Sequence, residues 1–239
     1  MVSEIVDTPA ERRRALEAAV ATLGLAPRGV VRLAPADAVP PLADGRPARA
    51  LLLVGWRGTV GWAPFAASAE IRDGAADPLD RWSRRVIGDL AAGLDLAALF
   101  PFDGPPWWPF PSWGIRAEGL SPSPLGLALD AEVGPWHAWR GALVSPDDLG
   151  PEAPPQPSPC ATCERRSCLV ACPADAFAAG FDAAACRRHL ESHAGGLCRT
   201  DGCRSRDACP VGRRHRYRPD QIRFLMTAYR SAAPRQETR

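Results

Sequence analysis

Cysteine is the residue type in this 239-residue chain whose spacing most clearly suits chemistry. All eight cysteines lie between residues 160 and 209, and Cys172 and Cys209 are each followed by proline. From Cys160 to Pro173 the spacing is C-x2-C-x4-C-x3-C-P. The similar spacing C-x2-C-x2-C-x3-C-P holds [4Fe–4S] cubes, with three thiolates on one cube and the fourth on a second. Eight thiols therefore suit two four-ligand cubes, whose chemistry is electron transfer.

Two other uses of these thiols compete with the cubes. The eight predicted metal ligands are Cys160, Cys163, Cys168, Cys172, Cys186, Cys198, Cys203 and Cys209. Disulfides are rare in reducing compartments, and Met1–Asp7 has early acids and no apolar stretch of the secretory type, so we expect a cytoplasmic protein. Two zinc sites of four thiolates each are the stronger alternative. Paired zinc ribbons usually contain two C-x2-C pairs, whereas this chain has one, so we favour iron–sulfur clusters.

The charge of the chain is unevenly distributed. All basic side chains other than histidine are arginine; residues 1–150 carry a net charge of −4 and residues 151–239 carry +6. Each cube with four thiolates brings a charge of about −2, so nearby arginines would offset two cubes. The run Arg213–Arg218 could instead bind tRNA or another polyanion. No apolar run reaches the 18 residues of a membrane span, so we expect no membrane partner.

The residues before the cysteines predict an α+β domain over residues 1–145. Helices are predicted from Pro9, with Thr8 as N-cap and Gly24 past the end, and from near Pro78, capped by Asp77. The predicted strands are Gly29–Leu33, the continuous apolar run Ala50–Val54, and a hairpin of Leu125–Leu129 with Trp136–Val144. These elements would form the scaffold of a cofactor- or substrate-binding domain.

Aromatic residues of this domain are candidates for contact with a cofactor. Residues 100–113 hold six aromatics and five prolines, which predicts a stiff, irregular loop. Such a loop can form the wall of a pocket for a flat ligand or a lid over the core. The candidate cofactor-binding residues, from the loop and the following strand, are Trp107, Trp108, Trp136, His137 and Trp139. A lone histidine on a strand is more often a surface or core residue than a cofactor ligand, so His137 also has that simpler interpretation.

The remaining segments complete the predicted organisation. Residues 146–159 are proline-rich and predict a linker. Residues 160–218 form the predicted cluster domain, which is poor in large apolar residues and should depend on its metal for folding. Residues 219–239 are predicted to form a C-terminal helix, over Pro219–Arg230, and a tail.

The cysteine segments resemble a known enzyme family. Cys160–Cys163 and Ala171–Phe177 resemble the start of a ferredoxin-type two-cluster domain, and Cys186–Glu191 and Ala208–Pro210 resemble the same domain of epoxyqueuosine reductase. The segment Gly119–Trp136 is similar to the part of that family that precedes the clusters. The loop between Cys163 and Cys168 is two residues longer here than in the family.

The resemblance implies a fold, a ligand assignment and a cofactor. The fold would be a nitroreductase-like α+β domain that holds cobalamin, followed by a ferredoxin-like two-cluster domain, in an enzyme that reduces an epoxide on a tRNA base. One cube would be held by Cys160, Cys163, Cys168 and Cys209, and the other by Cys172, Cys186, Cys198 and Cys203. Asp103 lies at a distance upstream of the predicted hairpin that suits the catalytic acid, although its position before Gly104 favours a turn residue over that role.

The sequence thus leads to three functional hypotheses. The first is an iron–sulfur protein with two [4Fe–4S] clusters that passes electrons from a flavodoxin or ferredoxin-type reductase to a cofactor or substrate of the N-terminal domain. Cobalamin is the first choice for that cofactor and flavin the second, although the sequence has no dinucleotide fingerprint or P-loop. The second is a non-catalytic ferredoxin that docks on an enzyme. The third is a zinc-stabilised RNA-binding module. Whether the N-terminal domain catalyses a reaction stays open.

Overall fold

The structure is a computed structural model that describes residues 8–232, so Met1–Asp7 and the last seven residues lie outside it. Two compact units are present. Unit 1 contains the described residues up to Ser121 together with His137–Pro157, and unit 2 contains Pro122–Trp136 together with the described residues from Ser158 onward. Helices and antiparallel strands both occur, which confirms the α+β class.

The strands, in chain order, are β1 (Ala26–Arg32), β2 (Ala50–Arg57), β3 (Ala97–Leu99), β4 (Ser121–Pro122), β5 (Ala128–Leu129) and β6 (His137–Ser145). Unit 1 is built on an antiparallel sheet with the order β1-β2-β6-β3. Strand β2 is buried from Ala50 to Trp56, because its continuous apolar run has a neighbouring strand on each side. The predicted strand over Ala50–Val54 is confirmed and extends three residues further.

The helices of unit 1 are α1 (Pro9–Thr22), α2 (Trp62–Ala66), α3 (Pro78–Gly93) and α4 (Phe110–Glu118), and a 3-10 turn spans Pro35–Asp37. Helix α1 has the predicted Thr8 cap: the Glu11 amide donates to Thr8 Oγ1, and Glu11 in return accepts from the Thr8 amide. Helix α3 begins at Pro78 as predicted. The expected side-chain cap is wrong, because Asp77 is left-handed (φ 51°) and its side chain makes no capping hydrogen bond.

Two predictions around residues 100–144 are wrong. Strand β6 does not form a hairpin with β5; it pairs with β2 and β3, while β5 pairs with β4. The apolar side chains of β6 are buried because this strand lies between β2 and β3 in the sheet. Asp130 instead closes a local turn, in which its side chain accepts hydrogen bonds from the amides of Glu132 and Val133. The irregular loop ends before residue 110, where α4 begins with Pro111 in its first turn, a position that tolerates proline.

Residues 122–136 pack within unit 2, although the sequence groups them with the N-terminal domain. Gly134 and Gly212 mark the close approach: a Cβ on Gly134 would lie 2.3 Å from the Val211 carbonyl oxygen, and both glycines have positive φ. The predicted linker spans residues 146–159, but in the structure its residues up to Pro157 belong to unit 1. There Glu152 accepts from the Arg116 guanidinium at 2.7 Å.

Unit 2 is made of short helices around a small apolar core. The helices are α5 (Ser167–Val170), α6 (Ala183–Glu191), α7 (Gly196–Asp201), α8 (Arg204–Asp207) and α9 (Pro219–Ser231), and 3-10 turns span His193–Gly195 and Arg213–His215. The buried core cluster consists of Trp136, Tyr217 and Ile222, with Leu225 and Met226 packed against it. The predicted helix over Pro219–Arg230 is confirmed as α9. No helix within residues 8–232 has the length and apolar character needed to cross a membrane.

Candidate metal centre

The eight cysteines, all of them free thiols, assort into two groups of neighbours. The first thiol set consists of Cys160, Cys163, Cys168 and Cys209. Burial raises the pKa of the Cys160 thiol, and the thiols of the other three members raise it further. Burial likewise raises the pKa of Cys168, with added effects of Cys209 and Cys163. The negative charge of one thiolate disfavours the ionisation of another thiol only at short range, so these four residues are neighbours.

The second thiol set consists of Cys172, Cys186, Cys198 and Cys203. Burial raises the pKa of Cys186, and the other three thiols of the set add to this rise. Burial also raises the pKa of Cys198, with further increases from Cys203 and Cys172. All four side chains line one cavity of about 350 Å³ in unit 2. The two sets coincide with the two ligand groups that the family resemblance implies.

Local structure explains how distant cysteines reach the second set. Asp182 caps α6 by accepting from the Ala185 amide at 2.8 Å, which starts the helix just before Cys186. Cys198 lies on α7, and Cys203 is the N-cap residue of α8. Cys172 precedes a turn in which the Ala176 amide donates to Cys172 Sγ at 3.4 Å. Short helices and tight turns therefore direct all four thiols to one cavity.

The longer loop of the cysteine run also has a structural role. The extra residues between Cys163 and Cys168 lead into α5, which begins after Arg166 in a left-handed conformation (φ 37°). Helix α5 carries Cys168. The segment between Cys163 and Cys168 therefore leads directly into the helix that places Cys168 among the thiols of the first set.

Two buried polar atoms lie on the wall of the same cavity. The Tyr229 hydroxyl and His189 Nε2 are both inaccessible to solvent, and among the described residues neither has a hydrogen-bond partner of ordinary geometry. A buried polar group without a partner is costly, so such groups usually mark a site that receives another acceptor or donor. Sequence analysis missed both residues; the position of His189 three residues after Cys186 on α6 was the available signal.

Arginines lie near both thiol sets. Against the dominant effect of burial, Arg204 lowers the pKa of Cys198 and Arg213 lowers that of Cys209. Arg166 acts in the same direction on Cys160. A nearby positive charge favours a thiolate over a thiol, so the arginine excess of this region stabilises the ligand form of cysteine.

The arginines of the basic run and its surroundings mostly contact unit 2 itself. The Arg206 guanidinium lies 4.7 Å from the centre of the Trp136 ring and 4.6 Å from that of Tyr217, and its Nε donates to the Pro135 carbonyl oxygen at 2.9 Å. Arg216 forms an ion pair with Asp207. These side chains therefore hold the small core of unit 2 together.

The donor chemistry suits a thiolate-bound cluster. Cubane iron–sulfur clusters take four cysteine thiolates, and each set supplies four. Among residues 8–232, no group of three or more His, Cys, Asp or Glu side chains is placed to hold a metal ion. What the structure provides is two neighbourhoods of thiols, one of which surrounds a cavity with unpartnered polar atoms on its wall.

The candidate catalytic residue of unit 1 is engaged in an ion pair. Asp103 Oδ1 accepts from the Arg84 guanidinium at 2.5 Å. Arg84 in turn lies over the rings of Phe100 and Phe102, 4.9 and 5.1 Å from their centres. The ion pair with Arg84 therefore gives Asp103 a structural role, in which it anchors the aromatic loop to α3.

The five candidate cofactor-binding residues divide between the two units. Trp136 belongs to unit 2, where its ring packs edge-on against Tyr217. Trp108 and Trp139 pack against the core of unit 1, and Trp139 Nε1 donates to Glu118 at 3.2 Å. His137 contacts the Trp139 ring, with centres 5.3 Å apart. Trp107 is 43% exposed.

A buried ion pair in unit 1 was also missed by sequence analysis. Arg28 on β1 is fully buried; its Nε donates to Glu118 Oε2 at 2.8 Å and its Nη1 to the Trp56 carbonyl oxygen at 2.6 Å. The available signal was an arginine directly before the predicted strand Gly29–Leu33, since a charge that is buried with an apolar strand requires a partner.

Comparison of the chain with protein-family models and with curated proteins finds no match.

Proposed function

We propose that this protein is an iron–sulfur electron-transfer protein that carries two [4Fe–4S] clusters in unit 2. The observation that carries the proposal is the assortment of eight thiols into two sets of four, one of them around a single cavity. The first thiol set would hold one cluster and the second thiol set the other. A cube offers a different iron atom to each thiolate, so its ligands need not converge on one ion.

When bound, each cluster would supply one-electron reduction and oxidation, and the protein would determine its potential. The chain contributes thiolates, stabilised by Arg166, Arg204 and Arg213. It also contributes a backbone donor, the Ala176 amide on Cys172 Sγ. Hydrogen bonds and positive charges next to the sulfurs both favour the reduced, more negative state.

The metal in unit 2 also has a structural role in this proposal. The apolar core of unit 2 is small, and eight thiols and several arginines occupy the space around it. Binding of the clusters would therefore supply much of the folding free energy of unit 2, as in other small metal-dependent domains. Arg166, Arg204 and Arg213 near the thiols account for part of the positive charge of the C-terminal region without RNA, which favours electron transfer over an RNA-binding module.

The role of unit 1 separates two forms of the proposal. In the reductase form, unit 1 is a nitroreductase-like domain that holds cobalamin, as in the epoxyqueuosine reductase family, and tRNA is the substrate class. Flavin is the second choice of cofactor, because a nitroreductase-like fold suits it. In the second form the protein is a dedicated ferredoxin without another cofactor. The ion pair between Asp103 and Arg84, which accounts for Asp103 without a catalytic role, favours the second form.

The deciding experiment is anaerobic purification of the full chain, followed by its visible spectrum and by iron and zinc analysis. We expect brown protein with about eight irons per chain. Colourless protein with about two zincs per chain would contradict electron transfer and support the zinc-stabilised module. Extra sharp absorption bands from a corrinoid or a flavin would support the reductase form, whereas their absence in protein with full iron content supports the ferredoxin form.

A further inference from the structure

Tyr229 is the aromatic residue of α9 that lines the cavity of the second thiol set. Its hydroxyl is buried and has no hydrogen-bond partner of ordinary geometry among the described residues. Cys186 lines the same cavity, and Arg187, the next residue of α6, lies against the Tyr229 ring. The Tyr229 hydroxyl is thus a buried hydrogen-bond donor without a partner, in the same cavity as the proposed cluster ligand Cys186.

The Tyr229 ring is held in position by the residue next to Cys186. The Arg187 guanidinium lies 4.7 Å from the centre of the Tyr229 ring, and its Nη1 donates to the Ala232 carbonyl oxygen at 2.7 Å, just beyond the end of α9. One arginine on α6 therefore fixes both the ring and the end of α9. The hydroxyl is held near Cys186 by packing, so its position does not depend on a hydrogen bond of its own.

We propose that Tyr229 donates a hydrogen bond to the Cys186 thiolate and thereby raises the reduction potential of the cluster on the second thiol set. This inference rests on the proposed function. Reduction adds one electron to the cube, breaks no bond, and increases the negative charge on its thiolates. A hydrogen-bond donor stabilises that extra charge, so it favours the reduced form. Tyr229 is a positioning residue in this role, because it acts through Cys186.

The test compares two matched variants, since the chain contains only two tyrosines. Tyr217 is also buried with an unpartnered hydroxyl, but it packs against Trp136 and Arg206 and is not part of the lining of the second thiol set's cavity. The full chain and its variants Tyr229→Phe and Tyr217→Phe are purified anaerobically and reduced stepwise with dithionite, and each cluster is followed by electron paramagnetic resonance. The signal of the second cluster is the one that Cys203→Ser lacks.

We expect Tyr229→Phe to lower the reduced-to-oxidised ratio of the second cluster about tenfold at a given potential, equivalent to about 59 mV for a one-electron couple. The first cluster in Tyr229→Phe, and both clusters in Tyr217→Phe, should keep their potentials. An unchanged second potential, or equal shifts of both clusters, would overturn the inference while leaving the iron content intact. Absence of iron from the wild-type chain would instead overturn the proposed function.

A second measurement covers the case in which Tyr229→Phe does not assemble its cluster. In the Tyr217→Phe background, 3-fluorotyrosine supplied in place of tyrosine labels position 229 alone. Fluorine makes the phenol a stronger donor, so the second cluster should shift to a higher potential. A potential equal to that of the unlabelled Tyr217→Phe protein would overturn the inference.

Discussion

Cys203 and Cys209 provide a sharp test of the thiol sets, because they are six residues apart and belong to different sets. Replacing Cys203 by serine should remove the cluster on the second thiol set, and replacing Cys209 should remove the cluster on the first. Each single variant should therefore fall from about eight to about four irons per chain. Each variant should keep one cluster, and the cluster that remains in Cys203→Ser should give a different electron paramagnetic resonance spectrum from the one that remains in Cys209→Ser.

Double variants make the same prediction quantitative. Cys160→Ser with Cys209→Ser combines two changes in one set, so we expect about four irons per chain, no fewer than in either single variant. Cys203→Ser with Cys209→Ser combines changes in both sets and should leave almost no iron. The iron loss caused by two substitutions in one set should equal that of either substitution alone, whereas the losses caused by substitutions in different sets should add.

The assay is iron analysis with resonance spectra of dithionite-reduced protein, prepared without oxygen. The reasoning would be refuted if Cys203→Ser and Cys209→Ser lost the same spectral component. It would also be refuted if Cys160→Ser with Cys209→Ser lost all of its iron while both single variants kept about half. Circular dichroism of each variant serves as the control for folding of unit 1, which contains none of the eight cysteines.

Three further predictions concern unit 1. Glu118→Ala leaves the buried Arg28 without its carboxylate partner, so the free energy of unfolding should fall by about 3–5 kcal/mol in denaturant titrations. Gly114→Ala places a Cβ 1.9 Å from the Trp139 ring, and this overpacking should cost about 1–3 kcal/mol in the same titrations. A hydrogen bond from Arg85 is the chief cause that lowers the pKa of Glu70 from 4.5 to about 2. The contribution of this carboxylate to stability should therefore be present above pH 4.5 and lost as the pH falls towards 2. Glu70→Gln should flatten that part of the stability curve.

Matched controls exist for the first two of these variants. Asp148→Asn breaks a pair with Arg32 in which both side chains are largely exposed, and should cost less than about 1 kcal/mol. Gly88→Ala lies inside α3 with nothing within 4 Å of its Cβ, and should stabilise the protein by about 0.5–1 kcal/mol. Equal losses in Glu118→Ala and Asp148→Asn, or in Gly114→Ala and Gly88→Ala, would contradict the packing described for unit 1.

Several elements could be predicted because their causes are local in the chain. Helix α1 follows from a cap, a proline and a glycine within 17 residues, and β2 follows from an unbroken apolar run. The cysteine spacing likewise marks the thiols as candidate metal ligands, and the clusters that they would hold stay a prediction. In the helix and the strand, the interacting groups lie within a few residues of one another. In the cysteine segment, the residue type itself limits the chemistry that the side chains can carry out.

The wrong predictions have a common cause, which is competition between local and distant partners. The turn at Asp130 suggested a hairpin, but β6 buries more apolar surface between β2 and β3 than it could beside the short β5. The proline-rich run over residues 100–113 suggested an irregular loop throughout, but Phe110 and Trp113 lie on α4 and are buried in the core of unit 1. Sequence patterns do not record which of two apolar partners a side chain will meet.

The sequence by itself determined the number of thiols, the basic character of the region around them and the α+β class. The tertiary structure added that the thiols of each implied set are neighbours, and it alone decided that Tyr229 and Cys186 line one cavity and that Arg28 finds Glu118 inside unit 1. The physical reason is that these contacts join residues 43 and 90 positions apart, or bring Cys209 back to Cys160, 49 positions earlier. Such contacts depend on how helices and strands pack, which burial of the whole core decides.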